Sequence, residues 1–484
     1  MLEYLKDHWW SVIVVLNYLL AISAAFTIIL KNINPTKTLS YIIVLVIFPF
    51  LGVLVYYFFG QEYRKTKIFS RKHVLNQKVV KAIDKELELK TKELEEVEEF
   101  LDDKSKLVKL LHNNSRSKLT RFNDVKILIN GEQKFEYLLK DLQNAKHHIH
   151  IEYYIIKDDI IGSKVIAMLC QKAEEGVKVR VSFDAVGSKI SFTSKKKMKQ
   201  SGVEFHPFMP VRFAKFAGKM NYRNHRKIAI IDGVIGYTGG INVSDNYLNY
   251  ETKETYWRDT HIRIKGEAVR SLQILFLTTW EFVSEKRIRV DESYFPKVSI
   301  TANTDIQIAA SGPDTDWANI MEAIFTAITN ADDYIYITTP YFIPNDEIIT
   351  AIQVAARCGI DVRLMIPKES DSWTAEHATN SYIDALLEAD VKIYRYAKGF
   401  VHAKTMVIDD IFCSIGTANM DYRSFNINFE VNALIYNETV SKDLKTLFLN
   451  DIKDSEQVQL ETWRNRGHFN KLQESFCRLW APLL

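Results

Sequence analysis

The sequence predicts an α/β protein of two repeats, each a sheet flanked by helices, related by a pseudo-twofold axis and preceded by two transmembrane helices. Three observations predict it: two long apolar runs near the N-terminus, a histidine-centred pattern that occurs twice with matching offsets, and the same alternation of helix and strand patterns ahead of each copy. The divisions that follow are a transmembrane hairpin at residues 1–60, a basic juxtamembrane segment and amphipathic helix at 61–122, a first repeat at 123–295, and a second repeat with C-terminal amphipathic helices at 296–484.

Residues 10–30 are apolar apart from Asn17 and small polar residues, and residues 39–59 form a second such run; each can cross about 30 Å of hydrocarbon. Tyr4, Trp9 and Trp10 at one end, and Tyr56, Tyr57 and Tyr63 at the other, suit interfacial aromatic belts, while Pro49 and Gly52 predict a kink in the second span. Ala21, Ser23, Ala24 and Ala25 would also fit a cleavable signal peptide, but basic residues ahead of the run are few and a second run follows at once. Arg64, Lys65, Lys67, Arg71 and Lys72 follow the second run, against Lys31 and Lys37 between the two, so the positive-inside rule leaves the N-terminus and the large C-terminal part in the cytoplasm. The same cluster would attract anionic headgroups by roughly 1 kcal/mol per residue.

From Val79 to Leu111 the chain is rich in Glu and Lys, with Ile83, Leu87, Leu94, Val97 and Leu101 at three- and four-residue spacing, which predicts an amphipathic helix. It would pack on the folded body or form a stalk; a dimerising coiled coil is the other use of such a face, and its seam is short for that. Homo-oligomerisation therefore stays open.

Each repeat then reads as helix, strand, helix, strand: FEYLLKDLQNAKHHIHIEYYII through VKVRVSFDAVGS in the first, NIMEAIFTAITNADDYIYITTPYFIP through IDVRLMIP in the second. Pro296 and polar neighbours interrupt the pattern between them.

The repeated pattern is NHRKIAIIDGVIGYTGGIN, with His225, Lys227, Asp232, Gly239 and Asn242, and HAKTMVIDDIFCSIGTAN, with His402, Lys404, Asp409, Gly416 and Asn419. Offsets from the histidine are +2, +7, +14 and +17 both times. One H-x-K-x-x-x-x-D arises by chance in roughly a few per cent of chains this long, but two with matching tails do not. On a strand, positions i and i+2 share a face, so each histidine and its lysine would point together into one cleft, an arrangement suited to phosphate chemistry. A covalent route at a phosphodiester needs a nucleophile, an acid for the leaving alkoxide, and positive charge around the phosphoryl oxygens. Two histidines and two lysines supply all of these, with no metal or cofactor.

These residues resemble the duplicated H-K-D motif of the phospholipase D superfamily; over its whole length, and in its Arg478–Leu484 ending, the chain is similar to the bacterial cardiolipin synthases within it. The resemblance implies a phosphatidyltransferase working through a phosphatidyl-histidine, converting two phosphatidylglycerol molecules to cardiolipin and glycerol. Phospholipase D hydrolysis and transfer to another alcohol would need the same residues. The implied catalytic set is His225, Lys227, Asp232, His402, Lys404 and Asp409, with His225 favoured as nucleophile and His402 as acid and base; near-symmetry leaves the order open. Lys227 and Lys404, with Asn242 and Asn419, would hold the phosphate oxygens. Asp232 is the odd member, because +7 is the wrong parity to face His225 and Asp232-Gly233 is a turn signal, so it would hold the hairpin or adjacent backbone, and Asp409 likewise. Glu430, 28 residues past His402, is the candidate to fix that histidine's tautomer. The same offset from His225 falls on Lys253, leaving Glu251, Glu254 and Asp259 as candidates for the first half.

The implied partners are a phospholipid and the lipid bilayer of the cell membrane. A formal charge of +3 gives no general attraction to polyanions, and nucleic acid is not an expected partner. The stretch Pro210–Lys227 alternates Phe213, Phe216 and Met220 with Arg212, Lys215, Lys219 and Arg223, as an interfacial loop would, though an ordinary folded loop accounts for it equally. Lys195–Lys199 reads as a solvated face. His147, His148 and His150 sit among branched and aromatic residues, where adjacent histidines face opposite ways, so a core strand is expected rather than a metal site. Cys170, Cys358, Cys413 and Cys477 are widely spaced and read as ordinary buried thiols.

Overall fold

In a computed structural model the described residues are 9–30, 35–53, 72–87, 95–97, 99, 101–115, 117–209, 221–250, 253, 255–479 and 481. They fall into two compact units: the N-terminal helices within Met1–Thr66, and a body within Lys67–Pro210 and Arg223–Leu484.

In the first unit the helix Trp9–Leu30 has 22 residues, about 33 Å at 1.5 Å per residue, and is long and apolar enough to cross a membrane. It is the only such helix among the described residues; the second expected run continues past residue 53, outside them. The next helix is Pro35–Ile47, too short by itself, and the helical pattern pauses at Phe48 before resuming at 49–53. Pro49 explains the pause, since it has no N–H to donate back along the helix. Gly52 lies so close to the preceding turns that a Cβ there would meet Leu45 Cα at 2.7 Å. The two helices pack through Ala21, Ala24, Ala25 and Ile28 against Tyr41, Leu45 and Val53, so the small residues serve helix contact. Tyr4, Tyr56, Tyr57, Tyr63 and the basic cluster from Arg64 to Arg71 lie outside the described residues.

The expected amphipathic helix from Val79 to Leu111 is not one rod. Helix Lys78–Glu86 and helix Ser105–Ser115 are separate, and a 3-10 turn at Asp102–Lys104 with Asp102 at φ +47° redirects the chain. Val80, Ile83 and Leu87 pack with helix Val269–Ser284, and Val97, Leu101, Leu107, Val108 and Leu111 pack into the second repeat. The apolar face is thus consumed within the chain.

The first sheet has seven strands in the order Asn123–Ile129, Thr260–Gly266, Ile235–Gly239, Lys227–Ile231, His148–Tyr153, Lys178–Asp184, Glu204–Phe208. The second repeats this order strand for strand as Asp305–Ser311, Glu430–Tyr436, Phe412–Gly416, Thr405–Ile408, Tyr334–Thr338, Asp361–Pro367, Lys392–Tyr396, and adds Leu119–Thr120 at one edge and Ser455–Gln457 at the other. One apolar cluster runs through both, from Ile228, Ile230 and Ile264 to Ile306, Val407 and Ile435, so the repeats share a core. Apolar burial at about 25 cal/mol per Å² makes that shared core the main force holding the halves together.

Strand His148–Tyr153 is fully buried. His148 and His150 face helix Val269–Ser284, where Gln273 hydrogen-bonds both rings at 2.8–3.2 Å. Cys170, Cys413 and Cys477 are buried, but Cys358, which follows helix Asp346–Arg357, is exposed, contrary to the expectation for it. The C-terminal helix His468–Arg478 buries Glu474 and Cys477 and exposes Phe469, Leu472, Phe476 and Leu479.

Candidate active site

Both motifs form a hairpin. Lys227–Ile231 pairs with Ile235–Gly239, and Thr405–Ile408 with Phe412–Gly416. Each loop has three residues, the first two at positive φ, Asp232 and Gly233 at +54° and +69°, and Asp409 and Asp410 at +54° and +53°, and the third, Val234 or Ile411, donates its N–H back to the last residue of the strand. The carboxylate of Asp232 accepts from the backbone N–H groups of Lys146, His147 and His148 at 2.7–3.0 Å, and that of Asp409 from Asp332, Asp333 and Tyr334 at 2.9 Å. At about 3.3 Å per residue, seven residues put each aspartate roughly 20 Å from its histidine. Their inclusion among the catalytic residues is therefore corrected: they pin the start of the neighbouring strand. Asp232→Ala, which strands three backbone donors, is expected to lower unfolding free energy by about 2–4 kcal/mol. Denaturant titration would measure this, while the folded fraction keeps turnover within a few-fold of wild type.

Both histidines sit just before their strands, in extended backbone at the seam between repeats. His225 N–H donates to the Phe429 carbonyl at 2.9 Å, and His402 N–H to the Arg258 carbonyl at 2.7 Å. Short parallel pairing of Gly399–Val401 with Tyr256–Arg258 holds the second seam, and a bridge between Asn224 and Phe429 the first. Arg226 points away from the cleft and donates Nε–H to the Glu430 carbonyl at 3.2 Å.

The carboxylates cross over. His225 Nδ1 lies 2.9 and 3.0 Å from the two oxygens of Glu430, and His402 Nδ1 lies 2.8 Å from Asp259 Oδ2. Glu430 therefore orients His225, not His402 as its offset suggested, and Asp259, a candidate for His225, serves His402. Glu251 and Glu254 lie outside the described residues. The pairing registers Gly239↔His261 and Gly416↔Asn432 make Asp259 and Glu430 equivalent positions of the two sheets. Thr417 donates its hydroxyl to Glu430, whereas its counterpart Gly240 has no room for a side chain: a Cβ there would meet Asp259 Oδ1 at 2.0 Å.

Lys227 Nζ donates to the His225 carbonyl at 2.8 Å, and Lys404 Nζ to the His402 carbonyl at 2.6 Å while lying 3.0 Å from both ring nitrogens of His402. Burial pushes Lys227 down to about 7 and Lys404 to about 8, against the pull of Glu430 and Asp259. A phosphodiester anion between them would restore their charge, so the cations are matched to a bound anion. Burial also lowers His225, and with Lys404 lowers His402 well below the usual imidazole range, favouring the neutral form of both rings until an anion is bound beside them; burial raises Asp259 to about 7.

Asn242 donates Nδ2–H to Tyr247 Oη at 2.6 Å and accepts from the Ile155 N–H; Asn419 donates Nδ2–H to Asp421 at 2.8 Å. Each amide nitrogen has a second hydrogen. Aromatic walls that the motif did not announce stand around the rings: Tyr154 at 5.0 Å from His225, and Tyr247 and Trp257 at 5.7 Å from His402. Lys134, fully buried with Nζ 3.4 Å from the Asn242 carbonyl, had no sequence signal.

A family model described as "Cardiolipin synthase, PLD-like domain" matches residues 138–273 and 324–452, and one described as "Phospholipase D-nuclease N-terminal" matches residues 19–61. Similar proteins include "Cardiolipin synthase" of Halalkalibacterium halodurans, 40% identical over 99% of this chain and 96% of that one, and "Cardiolipin synthase 2" of Bacillus anthracis, 41% identical over 94% and 88%. Among solved structures, that of phosphatidylserine synthase from Haemophilus influenzae superposes with a TM-score of 0.59 at 14% identity, covering 79% of this chain and all of that one, a likeness of fold.

Proposed function

This chain belongs to the cardiolipin synthase family of phospholipase D-like proteins, and on that premise we propose that it is a membrane-associated phosphatidyltransferase joining two phosphatidylglycerol molecules into cardiolipin with release of glycerol. The observation that carries the reading is the pair of crossed histidine–carboxylate contacts, which supplies two oriented imidazoles beside two lysines at one seam.

His225 Nε2 attacks phosphorus; the P–N bond forms as the P–O bond to the glycerol headgroup breaks, and His402 gives its proton to the departing oxygen. His402 then takes the proton from a hydroxyl of a second phosphatidylglycerol, whose oxygen displaces His225. Glu430 holds His225 with Nδ1–H donated and Nε2 free to attack, and bears the charge that the ring gains; Asp259 accepts Nδ1–H from His402 and, with the diester anion beside Nε2, favours the protonated ring whose Nε2–H passes to the departing oxygen. Lys227 and Lys404, with Asn242 and Asn419, hold the phosphoryl oxygens. The division at residues 1–60, 61–122, 123–295 and 296–484 is part of this reading, as is a two-span hairpin with the body in the cytoplasm, supported by the packed N-terminal helices and the basic residues after Gln61.

Radiolabelled phosphatidylglycerol with the purified protein is expected to yield cardiolipin and glycerol in equal amounts. Phosphatidic acid without cardiolipin would instead make water the acceptor and overturn the transfer.

A further inference from the structure

Strands His148–Tyr153, Lys178–Asp184, Asp305–Ser311 and Asp361–Pro367 all end at the sheet edge where the histidines lie, as the registers Tyr153↔Lys227, Ser311↔Glu430 and Thr338↔Thr405 require. The connections leaving that edge expose Ile160, Val186, Phe192, Trp317 and Trp373. Among the described residues, the strand–helix connections at the opposite edge expose no large apolar side chain other than Phe122.

Two of these form a symmetric pair. Phe192, 82% exposed, is the first residue of helix Phe192–Gln200, capped by Ser191; Trp373, 55% exposed, is the first residue of helix Trp373–Leu387, capped by Ser372. The helices occupy the same place in the two repeats, between strands Lys178–Asp184 and Glu204–Phe208 and between Asp361–Pro367 and Lys392–Tyr396. Burying one aromatic at a time would be a minor matter of surface composition, but equivalent positions on both sides of one cleft point one way. Lys189, three residues before Phe192, and Lys196, one helical turn after it, are both exposed on this side, near the Asp158 carboxylate that accepts from Ser191 and Ser194.

We propose that the catalytic edge of the body is a lipid-docking face, with Phe192 and Trp373 inserted as paired anchors in an anionic bilayer on either side of the cleft and Lys189 and Lys196 held against its headgroups. The proposal rests on the substrate being a bilayer lipid, as argued above. Apolar side chains favour the acyl boundary and lysines the charged surface, so a face carrying both selects an anionic bilayer over a soluble polyanion. It also explains how a buried site reaches a lipid headgroup: the cleft mouth is pressed onto the surface from which the headgroup is drawn.

The test uses the full-length protein in vesicles of equal parts phosphatidylglycerol and phosphatidylethanolamine. Phe192→Ser with Trp373→Ser is expected to slow turnover of vesicle phosphatidylglycerol by roughly tenfold or more. Turnover of a short-chain phosphatidylglycerol dissolved as monomers is expected to be unchanged. Unchanged turnover on vesicles, or equal loss on both substrates, would overturn the docking. A second readout is independent of catalysis: Phe192→Cys with Cys358→Ser, labelled with a fluorophore, is expected to be quenched by spin-labelled lipid, and absence of quenching would count against insertion. Quenching of the labelled variant together with a wild-type protein that makes no cardiolipin would sink the transferase reading and leave the docking intact.

Discussion

A His402→Ala protein given a phosphatidyl donor with an acidic phenol as leaving group is expected to release the phenol once and then stall with the phosphatidyl group covalently bound. The reasoning is that a phenolate departs without a proton, so the first displacement by His225 survives loss of the acid, whereas the second needs a base to activate the acceptor hydroxyl. With phosphatidylglycerol itself, whose glycerol leaves as a poor alkoxide, both steps fail and turnover falls by roughly 10³-fold or more. His225→Ala is expected to form no adduct with either donor. Mass spectrometry of the stalled protein locates the phosphatidyl group; finding it on the His225→Ala protein, and not on His402→Ala, would exchange the two roles. The lysines set the condition for the measurement. Burial lowers Lys227 to about 7 and Lys404 to about 8, and a bound diester anion raises both again, so adduct formation is expected to saturate with donor.

How far the sequence reached can be argued from the two orienting carboxylates. The duplicated motif located both histidines and both lysines, because spacing within a hairpin is fixed by strand geometry and survives in each repeat. Asp232 and Asp409 could be separated from the cleft on parity and turn chemistry alone. The offset of +28 that found Glu430 failed in the first half because Asp259 lies at +34, six residues later, with a longer loop between Asn242 and the strand that follows. Sheet register, not sequence spacing, makes the two carboxylates equivalent. Nor could spacing reveal that each serves the other repeat's histidine, since the crossover is a property of how two folded halves meet. The amphipathic segment was misjudged for a local reason: Asp102 at positive φ breaks the rod that its apolar spacing suggested. The walls of the site, Tyr154, Tyr247, Trp257 and Lys134, come from a strand end, a 3-10 turn, a three-residue strand and a helix whose composition resembles that of any core.

The crossover itself predicts a kinetic asymmetry. Glu430→Gln keeps an oxygen that can accept from Nδ1 but removes the charge that stabilises His225 as it becomes a phosphorylated imidazolium, so adduct formation is expected to slow by roughly 10²–10⁴-fold with both the phenol donor and phosphatidylglycerol. Asp259→Asn acts on His402, so it is expected to slow phosphatidylglycerol by a similar factor while sparing the first turnover of the phenol donor, which needs no acid. If the carboxylates served the histidines of their own repeats, the two patterns would be exchanged, and rapid-quench measurement on the two variants with the two donors decides between them. Adding Glu430→Gln to His225→Ala is expected to cost little more than His225→Ala alone, since residues acting as a unit are not additive. The fold supplies a control. Burial raises Asp259 to about 7 from its ordinary 3.8, so above pH ~4 the native state bears a growing cost for ionising it that the unfolded chain does not. Replacing it with a neutral amide removes that cost, and Asp259→Asn is therefore expected to melt no lower than wild type at neutral pH. A slow enzyme with an undiminished Tm would mark Asp259 as a residue kept for positioning His402 at the expense of stability.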